Sequence, residues 1–120
     1  MKTFRDLLVW QKSMNFVTEI YKVSKLFPKD ENFGLTSQIR RSAVSIPSNI
    51  SEGYGREGMK DYLRFLNIAM ASLFELQTQL EIAYNLEYIK KDKFDCLYEL
   101  SREIERMLSS FIRTIKSRKN

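Results

Sequence analysis

The sequence predicts an all-α protein, an antiparallel up-down-up-down four-helix bundle. Three observations carry that expectation. Apolar side chains recur at alternating steps of three and four residues in four consecutive stretches. Only four glycines and two prolines interrupt 120 residues. The joints between the stretches are short, and short joints make successive helices return antiparallel beside one another.

The first stretch places Leu7, Trp10, Met14, Val17, Tyr21 and Ser24 on one helical stripe, with Phe16, Ile20, Val23 and Phe27 on a second stripe beside it. Together they make an apolar face wider than one partner helix requires. This helix spans about 7–26 and stops at Phe27-Pro28, because proline disfavours helical geometry in the residue before it. Asp30 is placed to cap a second helix over about 31–54, whose apolar face is Phe33, Leu35, Ile39, Ala43, Ile46 and Ile50. Pro47 lies inside it, removes a hydrogen bond to the Ala43 carbonyl and predicts a kink. Gly53 and Gly55 then offer left-handed geometry for a C-cap and a turn. The third helix, about 57–87, repeats Tyr62, Leu66, Ala69, Leu73, Leu76, Leu80 and Ala83 without a break. After the polar joint Lys90-Lys91-Asp92, a fourth helix over about 92–117 carries Phe94, Leu97, Ser101, Ile104, Leu108, Phe111 and Ile115. No internal repeat appears, so residues 1–120 read as one domain.

Composition narrows the function. At 43% hydrophobic and 29% charged, the chain is ordinary for a globular protein, and a domain of this size buries roughly 65% of its unfolded surface without staples. The single cysteine, Cys96, has no intramolecular disulfide partner. No apolar run reaches the roughly 20 residues of a membrane span, and the opening MKTFRD lacks the apolar core of a signal peptide, so the expected location is cytoplasmic and no membrane partner is expected. There is no histidine, which removes Ser-His and Cys-His nucleophile schemes and Cys/His zinc sites. Neither a GxGxxG nor a GxxxxGK[ST] loop occurs. The reading is of a protein that is not an enzyme and takes no cofactor, metal or small-molecule substrate. Glu52, Glu75 and Glu81 invite comparison with carboxylate bundles that hold two irons, but those sites pair glutamate with a Glu-x-x-His motif absent here.

Two features remain as candidate sites. Gln38, Arg41, Ser45, Ser48 or Asn49, and Glu52 form a polar stripe on the second helix, and Ser72, Glu75 and Gln79 form a shorter one on the third. Facing each other, the stripes would let Arg41 donate to Glu75 or Glu52 and would fix helix register or a subunit interface rather than bind a ligand. The second feature is charge. The net value is +5, and it is uneven: Arg113, Lys116, Arg118 and Lys119 end the chain without a side-chain carboxylate, with Arg102 and Arg106 on the turns before them. A basic end of this kind neutralises phosphates and draws in nucleic acid, with affinity that falls as salt rises. A solvated, solubilising tail is the plainer alternative. Trp10, Tyr21, Tyr62 and Phe111 lie at core spacing and read as packing residues, whereas Tyr54, between two glycines, is placed to pack on a neighbouring subunit or to stack on a base.

The stretches FRDLLVWQKSMNFVTEIY, FPKDENFGLTSQIRRSAVSIPSNISEGYGR and YLRFLNIAMASLFELQTQLEIA closely resemble the bacterial four helix bundle proteins, also called 23S rRNA-intervening-sequence proteins and sometimes ribosomal proteins. The likeness covers nearly the whole chain. It implies a left-handed antiparallel bundle that assembles as a homopentameric ring. The chain is also similar to the accessory variability protein of diversity-generating retroelements, a basic pentameric bundle that binds nucleic acid. The resemblance suggests association with RNA or an RNA-protein complex and implies no catalytic residues. The positions that match the family pattern are Trp10, Gly34, Leu35, Gln38, Arg41, Ser45, Asn49, Glu52, Gly53, Arg56 and Glu75, while Ser13 and Ser51 stand where many relatives have alanine. The expected function is an oligomeric scaffold with a basic RNA-binding surface. The alternative is a protein-protein interaction module with no nucleic-acid role, in which Phe16, Ile20 and Tyr54 hold subunits together.

Overall fold

The four apolar stretches fold as four α-helices: α1 Leu8–Ser24, α2 Leu35–Tyr54, α3 Met59–Asn85 and α4 Lys91–Ser117. Short 3-10 turns at Phe4–Asp6 and Lys29–Glu31 precede α1 and α2, and there is no strand among the described residues. The structure is a computed structural model that describes residues 2–118. Each helix packs on its neighbours in sequence and α1 closes on α4, while the diagonal pairs stay apart. That pattern is an up-down-up-down bundle, 49 Å long and 22–25 Å across. The most extensive contact is α2 on α3, and the slightest between helices is α1 on α4.

The stripes of α3 and α4 pack as their spacing requires. Leu66, Leu73, Leu76, Leu80, Ile104 and Leu108 have no exposed surface and form the axis of the core. On α1 the order of the two stripes is reversed. Phe16 and Ile20 are fully enclosed and Val23 and Phe27 nearly so, whereas Met14 and Tyr21 are 43% and 39% exposed. Both stripes have the same period, so only the partner helices decide which one turns inward. Phe33, expected on the apolar face of α2, is wholly exposed, because that helix begins two residues after it.

The cap of α2 also differs from expectation. Asp30 lies in the 3-10 turn, and Glu31 does the capping: its Oε1 accepts the Leu35 N–H at 3.0 Å and its Oε2 accepts the Tyr88 hydroxyl at 2.8 Å. One carboxylate thus joins the start of α2 to the α3–α4 joint. The Leu35 N–H, and after it the Tyr88 hydroxyl, hold the Glu31 carboxyl below the usual carboxylate range. Further along, α2 runs unbroken across the buried Pro47. Neither Gly53 nor Gly55 adopts left-handed geometry. Gly53 lies within α2, where a Cβ would stand 2.9 Å from the Phe65 Cβ and 3.0 Å from the Tyr62 Cδ1, so this glycine serves the close approach of α3.

The left-handed residue is Glu87, at φ 64°. It follows the end of α3, where the Tyr88 N–H reaches back to the Ala83 carbonyl at 2.9 Å and the Glu87 N–H to the Tyr84 carbonyl at 2.9 Å. This is the Schellman arrangement, in which glycine is the preferred occupant because it has no Cβ. A left-handed non-glycine residue costs about 1–2 kcal/mol, and part of that is offset by glycine's greater freedom when unfolded. Glu87→Gly is therefore expected to stabilise the chain by roughly 0.5–1 kcal/mol, read as a rise of a few degrees in the thermal midpoint. An unchanged or lower midpoint would show that the turn carries no strain.

Candidate functional site

The polar stripes of α2 and α3 do face each other, but through small side chains. The Ser45 and Ser72 hydroxyls meet at 2.8 Å, and the Asn49 amide donates to the Ser45 carbonyl at 2.8 Å and to its hydroxyl at 2.9 Å. One turn away, the Ser42 hydroxyl donates to Gln79 Oε1 at 2.6 Å, and Gln79 in turn reaches Glu75 Oε2 at 3.4 Å. Ser42 is 3% and Gln79 5% exposed, so this pair finds its partners within the protein.

Arg41 does not join it. Its side chain faces solvent on the outer side of α2, as does that of Gln38, and neither meets Glu75 or Glu52. Glu52 instead pairs with Arg56 at 3.1 Å along the surface of its own chain segment. The physical reason is helical phase: position 41 is a third of a turn from Ser42, enough to carry a side chain from the seam to the outside. Arg41, Glu52 and Glu75 thus do not converge on a common cavity. Among the described residues, no group of three Cys, Asp or Glu side chains is placed to hold a metal ion.

A second seam, unforeseen in the sequence, joins α3 to α4. Gln77, 8% exposed, donates to the Ser101 hydroxyl at 3.2 Å and to Glu105 Oε1 at 3.1 Å. Ser101 looks like one more small residue in an apolar repeat, and only the opposing glutamine gives its hydroxyl a partner. These seams pair specific turns of neighbouring helices, which is how buried polar groups fix register.

The cations predicted to meet nucleic acid divide into two groups. Arg102 lies 3.5 Å from Glu105 and Arg106 lies 3.2 Å from Glu99, so their charge is largely answered within α4. Arg113, Lys116 and Arg118 are exposed and pair with no carboxylate among the described residues; Arg113 donates to the Ser109 hydroxyl at 3.3 Å. Lys119 lies outside the described residues. The antiparallel path brings the chain start, the α2–α3 turn and the end of α4 to the same end of the bundle. The segment Asp6–Val9 borders Arg106–Thr114, and Phe4 borders Glu52, Gly55 and Arg56. Arg5 and Lys60 therefore join the cations of α4 at that end, whereas the charge of Arg56 is answered by Glu52, and no single stretch of sequence displays this convergence.

Aromatic rings close that same end. Tyr54 meets Tyr62 edge-on at 6.4 Å, and Tyr62 meets Phe111 at 5.9 Å. Burial pushes the Tyr62 phenol up to about 12. Tyr54 is thus packed within its own chain, with only part of its ring left for a neighbour. Phe16 and Ile20, expected at a subunit interface, are not available to one, because they are sealed in the core. The exposed apolar surface of α1 belongs to its other stripe. Met14, Tyr21 and Val44 are 43%, 39% and 39% exposed and, with Trp10, Val17 and Pro47, line a shallow groove between α1 and α2. Trp10 packs edge-on to Phe4 at 5.2 Å, and Arg40 stacks on Tyr21 at 4.6 Å. No helix among the described residues is long and apolar enough to cross a membrane.

Comparison with known proteins supports the whole-chain resemblance. A crystal structure of a protein of unknown function from the S23 ribosomal protein family of Bacteroides thetaiotaomicron is similar to this chain, with a TM-score of 0.82 and 32% identity over 88% of this chain and 96% of that one. No curated protein matches. The sequence model of 23S rRNA-intervening sequence proteins matches residues 5–110, nearly the full length of the bundle. With helices, seams and turns accounted for along that same span, the chain belongs to the 23S rRNA-intervening sequence protein family.

Proposed function

We propose that this protein is a non-enzymatic, self-associating scaffold that binds RNA, or an RNA-protein complex, through the basic end of the bundle. The observation that carries the reading is the convergence of cations from three separate segments at one end, with Arg113, Lys116 and Arg118 left unanswered by carboxylates among the described residues. Unpaired surface cations release the counterions of a phosphate backbone, and that release supplies most sequence-independent affinity. The family's name, 23S rRNA-intervening sequence protein, agrees with an RNA partner. The scaffold part of the reading rests on a bundle whose buried polar groups are used to fix register and whose surface keeps an open apolar groove.

The test is fluorescence anisotropy of a labelled oligouridylate titrated with the protein at several salt concentrations. The triple variant Arg113→Glu, Lys116→Glu, Arg118→Glu is expected to weaken binding at least 30-fold at low salt. Three lost phosphate contacts on a single strand should also reduce the slope of log K against log salt by about 2. Absence of binding by the parent protein at low salt, or equal binding by the variant, sinks the proposal.

A further inference from the structure

Where α2 begins, at the end of the bundle opposite the cations that close α4, an open cavity of about 640 Å³ lies between α1 and α2. Thr36 and Arg40, and beside them Ser37 and Arg41, stand four residues apart and so share one face of α2, and all four line the cavity. Tyr21 and Val44 give it apolar walls, and no acidic side chain lines it. Glu31, the cap of the same helix, is turned to Tyr88 and stays out of the lining.

Three features of these walls suit an anion. The first is the pair of arginines. Arg40 is fixed in advance, since its Nε donates to the buried Ser24 hydroxyl at 2.8 Å, an Nη donates to the Tyr21 carbonyl at 3.4 Å, and its guanidinium stacks on the Tyr21 ring. Two of the five N–H groups of the fork are used in this way, and the others remain for a ligand. Arg41 is exposed and pairs with no carboxylate among the described residues. The second feature is the helix start: the Thr36 and Ser37 N–H groups meet no acceptor among the described residues, and the positive end of the helix dipole lies there. The third is a side chain. Thr36 is 5% exposed, and its hydroxyl is the one buried side-chain polar atom among the described residues without a hydrogen-bond partner. Buried polar groups are almost always paired, so this orphan on a cavity wall points to a partner from outside the chain.

We propose that this cavity binds a phosphomonoester, with the phosphate between Arg40 and Arg41 at the start of α2 and the body of the ester against Tyr21 and Val44. On binding, Thr36 turns between the two rotamers open to threonine in a helix and donates to a phosphate oxygen. A dianion with three outward oxygens answers two guanidinium forks and a helix start better than a singly charged carboxylate does. The cavity falls within the roughly 300–1,000 Å³ of small-molecule sites, which leaves room for more than a bare phosphate. With no carboxylate, thiol or imidazole in its walls the site has no general base, so the ester is bound rather than cleaved. The site lies at the other end of the bundle from the proposed RNA surface, and neither reading depends on the other.

The test is isothermal titration calorimetry with uridine 5′-monophosphate, inorganic phosphate and uridine. The monophosphate is expected to bind more tightly than inorganic phosphate, and uridine not to bind. Arg41→Gln should weaken the monophosphate at least tenfold and Thr36→Val at least threefold. Arg64→Gln, which removes an exposed cation from α3 outside the cavity, should leave it unchanged. Thr36→Val also separates a ligand group from a packing fault. Without ligand the variant should melt no lower than the parent, because the lost hydroxyl had no partner, yet it should gain less stability from the monophosphate. Should it fail to fold, Arg40→Lys, which keeps the charge and loses the fork, takes its place with an expected loss of at least fivefold. A parent that binds neither phosphate, an equal loss in Arg64→Gln, or a folded Thr36→Val with the parent's affinity overturns the proposal. A 5′-phosphorylated oligouridylate that displaces the monophosphate no better than its 5′-hydroxyl form assigns the site to free monoesters, and one that displaces it tenfold better assigns it to chain ends; both results uphold the phosphate site.

Discussion

Phe16→Glu is expected to unfold the chain at 25 °C rather than to release folded monomers. The side chain has no exposed surface and lies in the main core cluster with Ile20, Leu73 and Leu108. Removing a buried phenylalanine costs about 3–5 kcal/mol in lost packing. A carboxylate put in its place either stays charged without a partner or takes up a proton, and each route costs several kcal/mol more. A domain of this size has about 5–15 kcal/mol in all, so the sum approaches or exceeds the total. Far-UV circular dichroism should show loss of the cooperative melt, with Ile20→Glu behaving alike. Met14→Glu, two residues away on the exposed stripe, is the control and should melt as a helical bundle. A cooperative melt of Phe16→Glu near the parent midpoint would mean that the inner and outer stripes of α1 have been assigned the wrong way round.

Gly53→Ala is expected to destabilise the chain by about 2 kcal/mol, lowering the thermal midpoint by roughly 8 °C. The sign is the informative part. Within a helix, replacing glycine by alanine ordinarily gains about 1 kcal/mol from propensity. Here the new methyl would sit 2.9 Å from the Phe65 Cβ, 3.0 Å from the Tyr62 Cδ1 and 3.3 Å from the Tyr62 carbonyl oxygen. Tyr62 is wedged between the Tyr54 and Phe111 rings, and Phe65 is 9% exposed, so neither can swing aside and α3 must shift as a unit. Gly58→Ala is the matched comparison, since nothing lies within 4 Å of a Cβ there, and its midpoint should change by no more than a degree or two. A neutral or stabilising Gly53→Ala would refute close contact at this crossing.

The fold was legible because periodicity is a local property, and the uninterrupted repeats of α3 and α4 leave little room for another reading. The candidate site was legible in part. The stripes Ser45, Asn49 and Ser72, Glu75, Gln79 were visible as polar positions in helical phase, and they do meet. Arg41 was misplaced because a stripe drawn at steps of three and four tolerates about a third of a turn of error, which separates a buried seam from the open surface. Ser42 and Ser101 were missed for the opposite reason: in a sequence, a serine in an apolar repeat carries no sign of the Gln79 or Gln77 that will meet it from another helix. Ser13 and Ser51 bond only to carbonyls of their own helix, at 2.7 and 3.0 Å, so neither hydroxyl ties one helix to another.

By itself the sequence determined the four helices, their antiparallel order and the basic close of the chain, since each follows from spacing, punctuation or charge along a single stretch. Tertiary structure alone decided which stripe of α1 is core, why Gly53 must be glycine, and which cations stand unpaired at the shared end of the bundle. The physical reason is that burial, close approach and ion pairing are properties of two surfaces in contact, and the second surface is contributed by residues tens of positions away.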